Sequence, residues 1–410
     1  MKQDAYVVGV GMTRFAKHMD RTLKSLTVEA VQAALADAGI DQRQLQAAYM
    51  ATAGTAITVG QVMVPGQAAL REMGIGGIPV INVENACASA ATAFQQAVQM
   101  VNYGVYDIVL AVGFEKLYTP DKAKTFSVFT GAVDFESFEA VTAGIYDRIR
   151  AAGIEVDDSG AGATRSLFMD VYAAMAVEHM RDYGSTQRDF AAVASKNSFH
   201  GSLNPKAQYR EQQSIEDVLN SRAISYPLTL GMCSPIGDGA AAAIIVNEAV
   251  AKRLGLKRAV KVRTSLLRSG WDYQDDEPSV AEVVCREAYE QAGLGPQDLD
   301  VVELHDASSP AELIYYETLG LCPKGEGGRF VNEGHSKLGG KTPVNPSGGL
   351  LRKGHPVGAT GLAQVHELVE QLRGEAGPRQ VEGARIGMAE NGGGYIGRDA
   401  AALVISILEK

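Results

Sequence analysis

KGHPVGATGLAQVHELV, residues 353–369, decides the architecture, because it can be laid over ENACASAATAFQQAV, residues 84–98. In both, a turn of small residues feeds a long run with apolar positions at helical spacing, the pattern of a strand-end turn opening a helix. Setting Ala91-Thr92 on Ala359-Thr360 and Gln96 on Gln364 gives an offset of 268 and places Cys87 on His355. Working outward, Val28, Val31, Leu35 and Ala38 end at Gly39-Ile40. Val280, Val283, Val284 and Ala288 end likewise at Gly293-Leu294, 254 positions on. Each of these helices stops at an Ala-Gly cap and leads to an apolar strand, AAYMATAG (47–54) and VVELHDAS (301–308). A third pair sets YDIVLAVGFEKL (106–117) beside ARIGMAENGGG (384–394), and the halves close with GAAAAIIVN (239–247) and AAALVISIL (400–408).

Three paired segments in one order are the signature of an internal duplication, and the apolar runs suit parallel strands buried on both faces. The expected fold is α/β, two similar halves about a pseudo-twofold axis. We assign residues 1–117 with 233–254 to the N-terminal half and 255–410 to the C-terminal half. Residues 118–232 are an inserted loop or lid domain with Gly and Asp turns at Asp157 to Gly162, a helix around Phe168 to Tyr183 and another near Phe190 to Phe199.

Composition narrows the function. The chain of 410 residues is 46% apolar and 21% charged, with formal charge -10 and mean hydropathy -0.04. A globular protein without a basic footprint for nucleic acid or an anionic membrane is expected. No stretch approaches the roughly 20 unbroken apolar residues of a membrane span. MKQDAYVVGVG enters a strand directly, without the basic and apolar regions of a signal peptide. Four scattered cysteines (Cys87, Cys233, Cys285, Cys322) show no zinc-ligand spacing and no disulfide framework, so the reading is a cytoplasmic protein without a metal site.

Cys87 falls at the start of a helix, where unpaired amides and the helix dipole favour a thiolate. Alone it reads as a small buried cysteine. If the two halves face each other, however, the helix starts converge and His355 becomes its general base. His305, with Asp306, ends the strand Val301 to Leu304, where α/β sheets place their sites. Asn391-Gly392-Gly393-Gly394 ends the late strand and offers backbone N–H groups to an oxyanion. Gly392 to Gly397 spells G-x-G-x-x-G, but it leads into the last strand and no βαβ unit follows. Gly334 to Thr342 misses the phosphate-loop spacing by one residue. His18, His179, His200, His335 and His366 read as surface or packing residues, and Cys233, Cys285 and Cys322 as inert. Phe126, Phe129, Phe135, Phe138 and Tyr146 are candidates for lining an aromatic pocket but read more readily as packing.

NACASA around Cys87, SPIGDGAAAAIIV at 234–246, HDAS at 305–308, LGGKTPVNPSGGLLRKGHPVGATG at 338–361 and the closing NGGG together resemble the thiolase superfamily over nearly the whole chain. The HD pair resembles the sterol-carrier-protein type, including members that work with a small zinc-ribbon and OB-fold partner. The resemblance implies a thiolase fold, two βαβαβαββ halves in an αβαβα layering. It also implies acylation of Cys87 by a 3-oxoacyl-CoA, activation by His355, and polarisation of the thioester oxygen by His305 with His355. The oxyanion falls to the N–H groups of Cys87 and Gly393, and CoA serves as cosubstrate with no tightly bound cofactor. A homodimer is implied too, its sheet continuing under the interface at the strand 108–112.

One departure matters. The family's second catalytic cysteine stands either just before the late glycine turn or third in an HDCF motif, and here those positions hold Asn391 and Ala307. An amide does not shuttle protons at neutral pH, so His305, a water or a substrate carboxylate is left to protonate the departing enolate. The wording ENACASA and ENGGGYIG resembles thiolase subunits of the 2-benzoylsuccinyl-CoA type, from anaerobic toluene degradation. Competing readings are a retro-aldolase of 3-hydroxyacyl-CoA of the steroid side-chain type, which needs no acylated cysteine, and a non-catalytic acyl-CoA or lipid carrier.

Overall fold

The computed structural model describes residues 3–156, 160–161, 165–274 and 277–410. Its strands are β1 (Ala5–Met12), β2 (Ala47–Ala51), β3 (Val80–Val83), β4 (Ile108–Lys116), β5 (Ala223–Ser225), β6 (Leu228–Thr229), β7 (Asp238–Asn247), β8 (Val260–Ser269), β9 (Val301–Glu303), β10 (Ile386–Gly393) and β11 (Ala402–Glu409). Nine of them form one sheet in the order β3-β2-β4-β7-β1-β8-β11-β10-β9, and β5 and β6 make a separate hairpin. The order reads as a duplication: β2, β4, β7 and β1 on one side mirror β9, β10, β11 and β8 on the other. The halves join where β1 and β8 pair antiparallel, over only Ala5–Val7 and Val260–Val262. The place of β3 in the second half is taken by one parallel bridge, Val302 to Val344.

The paired helices are present. Leu23–Ala38 and Val280–Ala292 both end on a left-handed glycine, Gly39 at φ 64° and Gly293 at φ 67°, a conformation that glycine adopts without a Cβ penalty. Each is followed by a capped 3₁₀ turn and then the strand. Helix Leu23–Ala38 covers the outer face of the N-terminal half of the sheet and Val280–Ala292 that of the C-terminal half. Helices Ser89–Asn102 and Thr360–Arg373 lie together in the core between the halves. That is the αβαβα layering of the thiolase fold.

The register of the two core helices differs by three residues from the one the sequence suggests. Helices Ser89–Asn102 and Thr360–Arg373 are equal in length and start 271 positions apart, each after a 3₁₀ turn, Ala86–Ala88 and Val357–Ala359. The structural counterpart of Cys87 is therefore Gly358, and that of His355 is Glu84. The strand 108–112 also takes another place: β4 lies between β2 and β7, and the open edge is β3.

Between β4 and β7 run helices Lys122–Thr130, Phe138–Ala151, Leu167–Tyr183 and Gln187–Ser202, a connection whose counterpart between β10 and β11 is a short turn. Of the turns read at Asp157 to Gly162, Asp157, Asp158, Ser159 and Gly162 lie outside the described residues. No helix among the described residues is long and apolar enough to cross a membrane.

Candidate active site

Backbone contact between the two helix starts builds the site. A Cβ on Gly361 would stand 2.5 Å from the Ala91 nitrogen, and one on Gly113 would stand 2.6 Å from both Ala90 Cβ and the Gly358 oxygen. Real Cβ atoms do not approach so closely, so the glycine and alanine content of both stretches is a packing requirement. Cys87 is the middle residue of the turn Ala86–Ala88. Ala86 sits at φ 47°, which costs a residue with a Cβ about 1–2 kcal/mol. Its N–H donates to Glu84 Oε1 at 2.6 Å, and its carbonyl accepts from Ser89 Oγ at 2.6 Å.

Cys87 rests as a thiol. Burial pushes Cys87 up to about 12, the Glu115 and Glu84 charges push the same way, and the amides of Gly394 and of Cys87 itself only partly oppose them. The thiolate expected from the helix start does not form without a base, because desolvation disfavours the charged form.

A candidate base is adjacent. His355 reaches the site from the chain just before the turn Val357–Ala359, its N–H donating to the Pro235 carbonyl at 3.2 Å. Its Nδ1 meets Thr360 Oγ1 at 2.7 Å, and the Thr360 hydroxyl donates to the Pro356 carbonyl at 3.2 Å. With its proton spent there, Thr360 accepts from Nδ1–H, a tautomer assigned from the network that leaves Nε2 a free lone pair. His305 follows β9, its backbone N–H held by Glu390 Oε2 at 2.9 Å. Its Nε2 is buried and has no hydrogen-bond partner. The two rings meet edge to face, centroids 5.2 Å apart. Cys87 Sγ and one nitrogen of each ring all lie within 4.8 Å of one another. Burial lowers both histidines, His305 to about 4 and His355 well below its ordinary value, with His305 adding to the effect. Both rings are neutral at neutral pH.

The remaining candidates divide. Gly393 is pressed against the turn Ala86–Ala88, where a Cβ would stand 2.3 Å from the Asn85 oxygen, while the amide that hydrogen-bonds Cys87 belongs to Gly394. Asn391 is buried with both amide atoms unpartnered, its Oδ1 against Gly361. Ala307 is in the cavity wall, its carbonyl accepting from the Ser234 amide. Asp306 turns away from the site and fastens the Leu350 amide at 2.6 Å and Asn197 Nδ2 at 2.8 Å.

Sequence reasoning missed Glu115. It is fully buried at the end of β4, and its carboxylate accepts from Ala53 N at 3.0 Å, Gly54 N at 3.1 Å and Gly358 N at 2.9 Å, tying β2 to the His355 loop.

Two cavities meet at Cys87, sharing Phe168 and Tyr172. The larger, about 810 Å³, runs past His355 to Lys17, Lys122, Arg222 and Arg352, and Cys233, read from the sequence as inert, lies in its wall. The smaller, about 400 Å³, contains His305 and the tyrosines Tyr172, Tyr273 and Tyr315. Phe126 and Phe129 line the larger cavity, whereas Phe135 is exposed, Tyr146 is buried and Phe138 packs against the core. Of the other histidines, His200 and His366 are buried packing residues and His179 pairs with Glu317 at 3.2 Å.

The family models described as "Thiolase, N-terminal domain" and "Thiolase C-terminal domain-like" match residues 5–215 and 272–407. Sterol carrier protein 2 of Oryctolagus cuniculus is 38% identical over 97% of this chain and 71% of its own length. The benzoylsuccinyl-CoA thiolase subunit BbsB of Thauera aromatica is 36% identical over 96% of each chain. A solved Ltp2-ChsH2(DUF35) aldolase superposes with a TM-score of 0.79 at 25% identity, covering 99% of this chain and 98% of that one.

Proposed function

This chain belongs to the thiolase family, whose acyl-CoA C-acyltransferases use CoA as cosubstrate, and from that premise we propose thiolytic cleavage of a 3-oxoacyl-CoA through an acyl-Cys87 intermediate. The observation that carries the reading is the convergence of a buried thiol, a neutral His355 with a free Nε2 and an unpartnered His305 Nε2. His355 takes the Cys87 proton and the sulfur attacks the 3-oxo carbon, whose oxygen the amides of Cys87 and the Gly393-Gly394 turn stabilise. The C2–C3 bond breaks, and the departing enolate leaves its thioester oxygen facing the two rings.

Proton balance closes without a second cysteine. The proton on His355 passes to C2 of the enolate, which restores the neutral base. The same ring then takes the CoA thiol proton and returns one to Cys87 when the acyl group leaves. His305, lowered to about 4, acts by hydrogen bonding rather than as the acid.

The basic mouth of the larger cavity suits the phosphates of CoA, and the tyrosine-lined cavity beyond Cys87 suits the acyl group. The resemblance to BbsB supports 2-benzoylsuccinyl-CoA as substrate; that BbsB is a subunit and that the solved aldolase is a complex with a DUF35 chain support a partner, which we take to be the zinc-ribbon/OB-fold protein, and the four free thiols support a cytoplasmic setting. A homodimer through the β3 edge completes the reading. The aldolase neighbour favours a second reading, retro-aldol cleavage of a 3-hydroxyacyl-CoA in the same cavities.

Mass spectrometry of the Cys87 peptide after incubation with a panel of 3-oxoacyl-CoA compounds, benzoylsuccinyl-CoA included, separates them. We expect an acyl adduct on Cys87 that free CoA discharges, its mass naming the acyl group. Turnover of a 3-hydroxyacyl-CoA with no adduct at any time, partner supplied, would establish the aldolase instead.

A further inference from the structure

We propose that Cys87, His305 and His355 also form a three-ligand site for Zn²⁺, and that the ion competes with acylation for the nucleophile. The sequence conceals this, since the three residues are far apart in the chain and match no ligand spacing. The fold brings one donor atom from each to within 4.8 Å of the others, all buried. Tetrahedral zinc with sulfur at about 2.3 Å and nitrogen at about 2.1 Å sets its donors roughly 3.5 Å apart, so side-chain rotation of about 1 Å closes the set.

Two further observations point to a ligand there. His305 Nε2 is buried with no hydrogen-bond partner. The Nδ1 of His355 is anchored on Thr360 Oγ1 at 2.7 Å, the outer hydrogen bond that orients a metal-binding histidine and aims its other nitrogen at the ion. Both cavities open at Cys87, which leaves the fourth coordination position to water or an incoming thiol, as in sites with three protein ligands. One sulfur and two imidazoles favour zinc over magnesium or calcium. On binding, the Cys87 S–H bond breaks, the sulfur lone pair forms the metal bond and one proton leaves to solvent, with nothing oxidised or reduced.

Co²⁺ is the probe, added to the full chain alone after chelator treatment. One ion per chain with a thiolate-to-cobalt charge-transfer band is expected. The band is lost in Cys87→Ser, kept in Cys285→Ser, and requires at least tenfold more Co²⁺ in His305→Ala. Zn²⁺ slows iodoacetamide alkylation of Cys87 at least tenfold, and chelator restores it. Wild-type chain already alkylated at Cys87 provides a folded control and must show no band. A band surviving in either Cys87-blocked protein, no band in the wild type, or alkylation indifferent to Zn²⁺ overturns the proposal. Acyl transfer measured in chelator tests the thiolase reading separately, so either can fail alone.

Discussion

At Cys87 the chemistry depends on its partner more than on itself. Burial holds the thiol near 12 and keeps His355 neutral, so the pair rests as thiol and imidazole, and in the proposed mechanism the thiolate exists only during attack. A base whose folded value is lowered stays unprotonated through the neutral range and is lost only well below pH 6.5. The rate of Cys87 acylation is therefore flat across neutral pH and falls on the acid side, and alkylation of the free enzyme keeps rising through pH 9. A plateau of alkylation below pH 7 would instead reveal a preformed thiolate. Thr360 fixes which nitrogen of His355 is basic. Removing one such hydrogen bond costs about 1.4 kcal/mol, roughly tenfold in rate. Thr360→Val should lower the acylation rate by about that factor and cost about 1–3 kcal/mol of stability for the buried Nδ1–H it leaves unpartnered, and Thr360→Ser should restore both. Equal rates in all three would remove Thr360 from the mechanism.

At the scale of the element, close backbone approach is the controlling fact, and the late glycine turn tests it with neighbouring residues. A Cβ on Gly393 would stand 2.3 Å from the Asn85 oxygen and 2.4 Å from the Ala88 nitrogen, both backbone atoms of the nucleophile turn; one on Gly392 would find nothing nearer than 3.6 Å. Gly393→Ala should cost about 1–3 kcal/mol of stability in urea unfolding, with loss of acylation, and Gly392→Ala should unfold like the wild type. The same contacts explain what the sequence disclosed. Small residues flanking Cys87 and His355, and the Ala-Gly caps at 39 and 293, are local requirements and therefore readable. The overlay slipped by three because a helix of period 3.6 presents nearly the same apolar face after such a shift, and because the Ala-Thr pairs at 91–92 and 359–360 match by chance. Glu115 stayed hidden for a different reason: all of its clamping partners in the loops are backbone amides, apart from Thr52, and backbone amides leave no trace in residue type.

At the scale of the whole molecule, the two ends of the nine-stranded sheet differ. The β9 end is covered by the Val302 to Val344 bridge, whereas β3 pairs with β2 alone and has no strand on its outer side among the described residues. An uncovered edge of this kind is a template for pairing with another chain. Beside it the segment before helix Pro65–Arg71 exposes Val62 at 67%, Met63 at 75% and Val64 at 56%, and the Gly66 amide ties that segment to Asn82 of β3 at 2.8 Å. Consecutive large apolar residues this exposed suit the homodimer interface proposed above, because a monomer gains nothing by displaying them. A second copy related by a twofold axis would extend the sheet from β3 to β3 and cover both segments at once, since such an interface is self-complementary. The chain should therefore sediment at twice the 43.4 kDa of one copy. Val62→Glu with Met63→Glu places two charges where the copies would meet and should shift the sedimenting mass to that of one chain at micromolar concentration. A wild-type chain that sediments singly, or a double variant that still sediments as a pair, would move the interface away from β3.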